Sequence, residues 1–127
     1  MNVATERPLP ALTPENTWFW TSGSDGVLRV LRCTGCQAHL FPTTPICPYC
    51  RSTEHAVTPV SGRATVVGCT VNHHQWLPAV PPPYVIAIVA LEEDDRVRLT
   101  TNIVDCRPED VAPGMRVAVQ FVHQDDV

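Results

Sequence analysis

The chain has 127 residues, 44% of them hydrophobic and 17% charged, the balance of one ordinary folded domain or of two very small ones rather than of a disordered segment. Its nine basic residues are all arginine, against thirteen acids and a formal net charge of −4. Lysine chemistry such as a Schiff base is therefore excluded, and the general attraction to phosphate on which most nucleic-acid binders rely is missing. No run approaches the roughly 18 apolar residues of a membrane span. Met1 to Pro10 carries Glu6, Arg7 and two prolines where a secretory signal would show a basic start and an apolar block. A cytoplasmic location is expected, where six cysteines serve as thiols and metal ligands more readily than as disulfides.

The first dozen residues are polar and proline-punctuated and read as an extended arm that orders only against another surface. A short helix is expected next. Thr13 would cap it, Pro14 suits its first position, Glu15 favours the positive end of its dipole, and Gly23 would end it in a left-handed conformation. This helix carries Trp18, Phe19 and Trp20, which either pack on the following segment or dock a partner. Gly26 to Arg32 alternates in the manner of a strand leading into the first cysteines, and the cysteine-bearing segment runs to about His55.

After Pro59 the character changes. Gly62 to Val71, Tyr84 to Leu91, Val97 to Val104 and Met115 to Val122 are four runs rich in valine, isoleucine and threonine. Glu92, Glu93, Asp94 and Asp95 join the second run to the third, and Ala112, Pro113 and Gly114 precede the last. Four or five short strands with no long helix between them fit a small antiparallel barrel. The expected organisation is mainly β: an arm and helix over 1–25, a zinc ribbon over 26–58 and a barrel over 59–127.

The metal motif is Cys33-Thr-Gly-Cys36, ten residues, then Cys47-Pro-Tyr-Cys50. Each Cys-x-x-Cys makes a knuckle that presents two thiolates to one ion, and two knuckles complete a tetrahedral site. Four thiolates leave no position for a catalytic water, so the expected ion is a structural zinc; spacing alone also admits iron. Gly35 and Pro48 suit the knuckle turns, where backbone amides can donate to sulfur. A thioredoxin-like redox motif would need an α/β pattern that is missing. His39 and His55 are expected to be surface or hydrogen-bonding residues, and Cys69 and Cys106 to be buried small hydrophobes.

Taken in order, these motifs resemble the domain-of-unknown-function family that joins a rubredoxin-like zinc ribbon to an OB-fold. The residues that carry the resemblance are Trp18-Phe19-Trp20, Gly26 to Arg29, Arg32-Cys33-x-x-Cys36 with Phe41-Pro42, and Cys47-Pro48-x-Cys50. They continue with Ser61-Gly62-Arg63, Pro83-Tyr84 to Leu91, and Pro113-Gly114-Met115 to Val117. The family pattern has a second glycine where Ala64 stands and a bulkier residue near Gly68. Nothing in the chain resembles a hot-dog hydratase, to which such domains are often fused, so a stand-alone member or an excised domain is expected.

The resemblance implies a non-catalytic partner of thiolase-fold enzymes that act on acyl-CoA thioesters. Its most specific form is the partner of an aldolase that cleaves a steroid side-chain CoA thioester by a retro-aldol step. On this view Trp18, Trp20, His73, His74, Trp76, Leu77 and Tyr84 contact the partner or the acyl-CoA. The loop from His73 to Tyr84 combines Trp76, Leu77 and Val80 with four prolines, which keep an apolar segment extended at low entropic cost. Trp76 would anchor an interface or plug the barrel end. The competing function is a single-stranded nucleic-acid module, against which stand the acidic charge and an aromatic content of only 6%. An enzyme using His73 and His74 as acid and base is the third possibility; it lacks a carboxylate or nucleophile at a telling spacing.

Overall fold

Arg29–Cys33 forms a strand, β1, whose two faces serve two different cores. Successive side chains of a strand point to opposite sides. Val30 accordingly enters a cluster with Leu28, Val60, Val66, Val85, Val89 and Val97, while Leu31 and Cys33 enter one with Ala38, Leu40 and Cys47. The computed structural model that shows this describes residues 7–125 and residue 127, so Met1 to Glu6 of the expected arm lie outside it.

Before β1 stands α1, Thr17–Thr21, followed by a 3-10 turn, Ser22–Asp25. Both expected helix signals are displaced. Thr13 does not cap: its carbonyl accepts from Thr17 N at 3.0 Å, and its own amide donates to Asn16 Oδ1 at 2.7 Å, so residues 14–16 form a turn and Asn16 precedes the helix. The left-handed terminator is Gly26, at φ 80°, and not Gly23. Because Gly26 closes the 3-10 turn, the first strand begins at Arg29 rather than at Gly26. Arg29 ties the two together, donating to Asp25 Oδ2 at 2.6 Å and to Ser22 O at 2.9 Å. The hydrogen bond from Arg29 holds the exposed Asp25 carboxyl down at about 2.

The remaining strands are β2 His39–Leu40, β3 His55–Pro59, β4 Arg63–Asn72, β5 Tyr84–Leu91, β6 Arg98–Ile103 and β7 Arg116–Ala118. They form two antiparallel sheets, ordered β2-β1-β3 and β6-β5-β4-β7. β3 lies within and beyond the end expected for the ribbon and pairs along the whole of β1, from Arg29↔Pro59 to Cys33↔His55. The long pair β4–β5 runs from Ala64↔Leu91 to Asn72↔Tyr84, with a bulge between Val66 and Gly68 that bends the sheet. Ala64, at the position where the family pattern has glycine, is buried, and Gly68 faces open space.

The last strand is shorter than the expected Met115 to Val122. Gly62, at φ 79°, turns the chain at the start of β4, so its partner strand ends after Val119 N donates to Gly62 O at 2.8 Å. The chain then leaves the sheet and lays the Phe121 ring against Gly23, whose lack of a side chain makes room for it. Among the described residues no helix is long and apolar enough to cross a membrane.

Candidate metal centre and partner surface

The first knuckle follows β1 directly, and Gln37, at φ 69°, turns the chain back into β2. The second follows the loop after β2 and is closed by Arg51, at φ 65°. The four sulfurs of Cys33, Cys36, Cys47 and Cys50 lie within 4.8 Å of one another, with Cys33–Cys50 at 3.5 Å and Cys36–Cys47 at 3.6 Å. A disulfide needs about 2.05 Å. A tetrahedron with metal–sulfur bonds of about 2.3 Å has an edge of about 3.8 Å, and these separations fit it.

The electrostatics fit a cation as well. The Cys36 amide, which donates to Cys33 Sγ at 3.5 Å, is the main influence holding the Cys33 thiol down at about 6. Burial pushes the Cys47 thiol up, but the amides of Cys50 and Tyr49, together with the sulfurs of Cys36 and Cys50, leave its pKa lowered. For Cys50 the Ser52 amide pulls down, yet the Cys33 sulfur, burial and the sulfurs of Cys36 and Cys47 drive it up to about 11. Four sulfurs this close cannot all ionise without a cation among them, and a divalent ion removes that repulsion. Gly35 lies against them: a Cβ there would stand in ordinary contact, 3.5 Å from Cys50 Sγ and 3.6 Å from Cys33 Sγ. When bound, the ion staples the ribbon, with no open position for chemistry.

The aromatic helix splits its three rings. Trp18 packs on the metal-bearing cluster, Phe19 on the barrel cluster at 5.0 Å from Phe41, and Trp20 stays 42% exposed. Packing on the ribbon therefore accounts for Trp18, while Trp20 meets Phe19 edge-on at 5.1 Å and keeps the rest of its ring exposed. In the loop after β4, Trp76 is 69% exposed and stands outside the barrel instead of plugging it. Its orientation is nonetheless fixed. The ring lies 4.3 Å from His74, its Nε1 donates to Asn72 Oδ1 at 3.2 Å, and Asn72 Nδ2 donates to His74 O. His73, His74 and Leu77 are exposed beside it, and Tyr84 is half-buried opposite Asn72.

Both extra cysteines are exposed, contrary to expectation. Cys69 sits within β4 opposite Ala87, with its thiol 3.8 Å from Val111 O, and Cys106 follows the left-handed Asp105 in a turn. His39 and His55 lie on β2 and β3, and among the described residues the compact metal-ligating set is the four cysteines. Sequence reasoning missed one apolar patch. Ile88 and the bulged Val67 are exposed on the outer face of the barrel sheet, where Ile88 sits opposite Gly68. The signal was available in β5, whose run of Tyr84 to Leu91 is apolar at both alternating sets of positions.

Two knuckles that together supply four thiolates, set against a small antiparallel barrel, define a zinc ribbon joined to an OB-fold. The chain belongs to the ChsH2 family: models described as the ChsH2 rubredoxin-like zinc ribbon domain and C-terminal OB-fold domain match residues 20–56 and 57–122. The ion of the ribbon is accordingly zinc. A probable enoyl-CoA hydratase alpha subunit of Thermomonospora curvata is 33% identical over 94% of this chain. A DUF35 domain-containing scaffold protein of Methanocaldococcus jannaschii is 42% identical over 72% of it. The 3-oxo-4,17-pregnadiene-20-carboxyl-CoA hydratase alpha subunit of Mycobacterium tuberculosis is 31% identical over 89%. The chain spans 37%, 64% and 35% of those relatives' own lengths. Among solved structures, a chain of the Ltp2-ChsH2(DUF35) aldolase superposes with a TM-score of 0.82 at 32% identity, covering 92% of this chain and 91% of that one.

Proposed function

We propose that the chain is a non-catalytic accessory subunit of the cytoplasm, a zinc-stapled scaffold that binds a thiolase-fold aldolase and borders the channel for its acyl-CoA substrate. The observation that carries this reading is the match over nearly the whole of both chains to a component of an aldolase assembly. Relatives described as scaffold proteins agree with it, and so does the chemistry of the site, because a closed thiolate shell offers no open metal position. In the loop after β4, His74 stacks against the Trp76 ring, which supports a recognition role for the pair. The proton-abstracting residues then belong to the partner. In its most specific form the reaction is retro-aldol cleavage of a steroid side-chain CoA thioester, in keeping with the pregnadiene-carboxyl-CoA named for the mycobacterial relative.

Trp76, Leu77 and Trp20, with His73, His74 and Tyr84 around them, form the contact surface in this reading. A tryptophan held in place by its neighbours loses little entropy on binding. Co-expression with a thiolase-like chain, followed by size-exclusion chromatography, tests the assignment. Co-elution in a fixed ratio is expected. Separate elution of two folded, zinc-replete chains, or acyl-CoA turnover by this chain alone, would overturn it.

A further inference from the structure

Arg96 lies in the turn between β5 and β6, and Tyr49 lies in the second zinc knuckle, yet the Arg96 guanidinium carbon sits 4.2 Å from the centre of the Tyr49 ring. Asp94 fixes the guanidinium there. Arg96 N and Nε each donate to Asp94 Oδ1 at 3.0 Å, and Nη2 donates to Oδ2 at 2.8 Å. The hydrogen bond from Arg96 is also the main cause that holds the Asp94 carboxyl at about 2, with a smaller contribution from His39 across the junction. The turn itself is pinned, since Val97 N donates to Asp94 O and Leu91 N to Val97 O, both at 3.0 Å, and Val97 is buried in the barrel core.

On the ribbon side, the Tyr49 amide donates to Cys47 Sγ at 3.4 Å. One residue thus gives its amide to a zinc ligand and its ring to the barrel. A hollow of about 180 Å³ lies alongside, walled by Phe41, Pro42, Pro48, Tyr49 and Arg96, so the ring meets the guanidinium directly across an otherwise loosely filled junction. From the turn the contacts continue: Glu92 accepts from Ser61 Oγ and from Arg63 Nε, each at 3.0 Å, and stands 3.8 Å from Arg116 Nη2 on β7.

We infer that Tyr49 and Arg96 couple zinc occupancy to the seating of the acidic turn, so that the metal centre fastens the ribbon to the barrel as well as folding the ribbon itself. The physical reason lies in the knuckle. The four sulfurs come from two separate loops and share one ion, so losing it removes the bonds that tie the second knuckle to the first, frees the loop to open and withdraws the Tyr49 ring from Arg96. Coupling of this kind is reciprocal: a seated Arg96 favours the ring position that the metal-bound knuckle requires, and so favours zinc. The inference concerns this chain alone and stands whether or not the aldolase partner is correct.

Competition against a chromophoric chelator measures the zinc affinity of the full chain, and amide spectra of residues 92–97 with and without zinc report the turn. A cation–π contact at a partly exposed site implies that Arg96→Ala and Tyr49→Leu each weaken zinc binding about two- to fivefold. Tyr49→Phe keeps the ring and should bind as the parent does. Combining Arg96→Ala with Tyr49→Leu should cost no more than either alone, because both remove one contact. The turn resonances should move on zinc removal in the parent and stay put in Arg96→Ala. Unchanged zinc affinity in Arg96→Ala, or equal losses in Tyr49→Phe and Tyr49→Leu, would overturn the inference.

Discussion

Trp76→Ala separates a recognition residue from a structural one. A tryptophan side chain brings about 150–250 Å² to an interface, and with 69% of Trp76 exposed some 170 Å² or less remains for a partner to cover, on the order of 4 kcal/mol at about 25 cal/mol per Å². Ordering and desolvation costs reduce that ceiling, which leaves a loss of roughly 2 kcal/mol or more, or about thirtyfold in affinity. In the free chain the same substitution removes one exposed stack on His74 and one hydrogen bond to Asn72, worth about 1 kcal/mol or less together. Calorimetric titration into the thiolase-like partner and a urea melt of the isolated chain measure the two quantities separately. A destabilised free chain with unchanged partner affinity would refute the reasoning and make the loop structural.

Freshly purified protein should contain one zinc per chain, and Cys47→Ser should lose both the metal and the folded ribbon, because the binding energy is also folding energy; elemental analysis with a thermal melt checks this, and iron or an intact melt would count against it. Gly62→Ala should cost about 2–4 kcal/mol in urea unfolding, since the residue sits at φ 79° and a new Cβ would lie 2.5 Å from Val119 Cγ1. Val119→Ala should recover the packing share of that loss while leaving the backbone share. Asp94 has its carboxyl depressed from 3.8 to about 2, so the stability it contributes is present above 3.8 and is lost as pH falls towards 2. The gap in melting temperature between the parent and Asp94→Asn should therefore be widest above pH 3.8 and close on further acidification.

The parts legible in the sequence are those set by local chemistry. Cysteine spacing specified the ligands, because two thiolates three residues apart can meet only through a tight turn. The valine-rich runs located β4, β5 and β6 within a residue or two of their ends. What failed depended on distant neighbours. Gly23 carries a helix-ending residue type, yet its role is to lie under Phe121, 98 residues further along by subtraction of the two positions. β3 is mostly exposed and has no alternation to betray it; it exists because β1 offers an edge. Cys69 has the sequence neighbours of a core residue, but it follows the bulge between Val66 and Gly68, where the burial alternation of β4 breaks, and it is exposed. The link between Tyr49 and Arg96 left no trace at all, since nothing in a charged turn indicates which ring it will cover.

The most direct test of the account is turnover of an acyl-CoA aldol substrate by three samples: this chain alone, a thiolase-fold partner alone, and the two mixed. The account predicts no turnover from this chain, and cleavage by the mixture that saturates as this chain is titrated to a fixed ratio. Turnover by this chain alone, or a partner whose rate and substrate affinity are indifferent to it, would contradict the central claim.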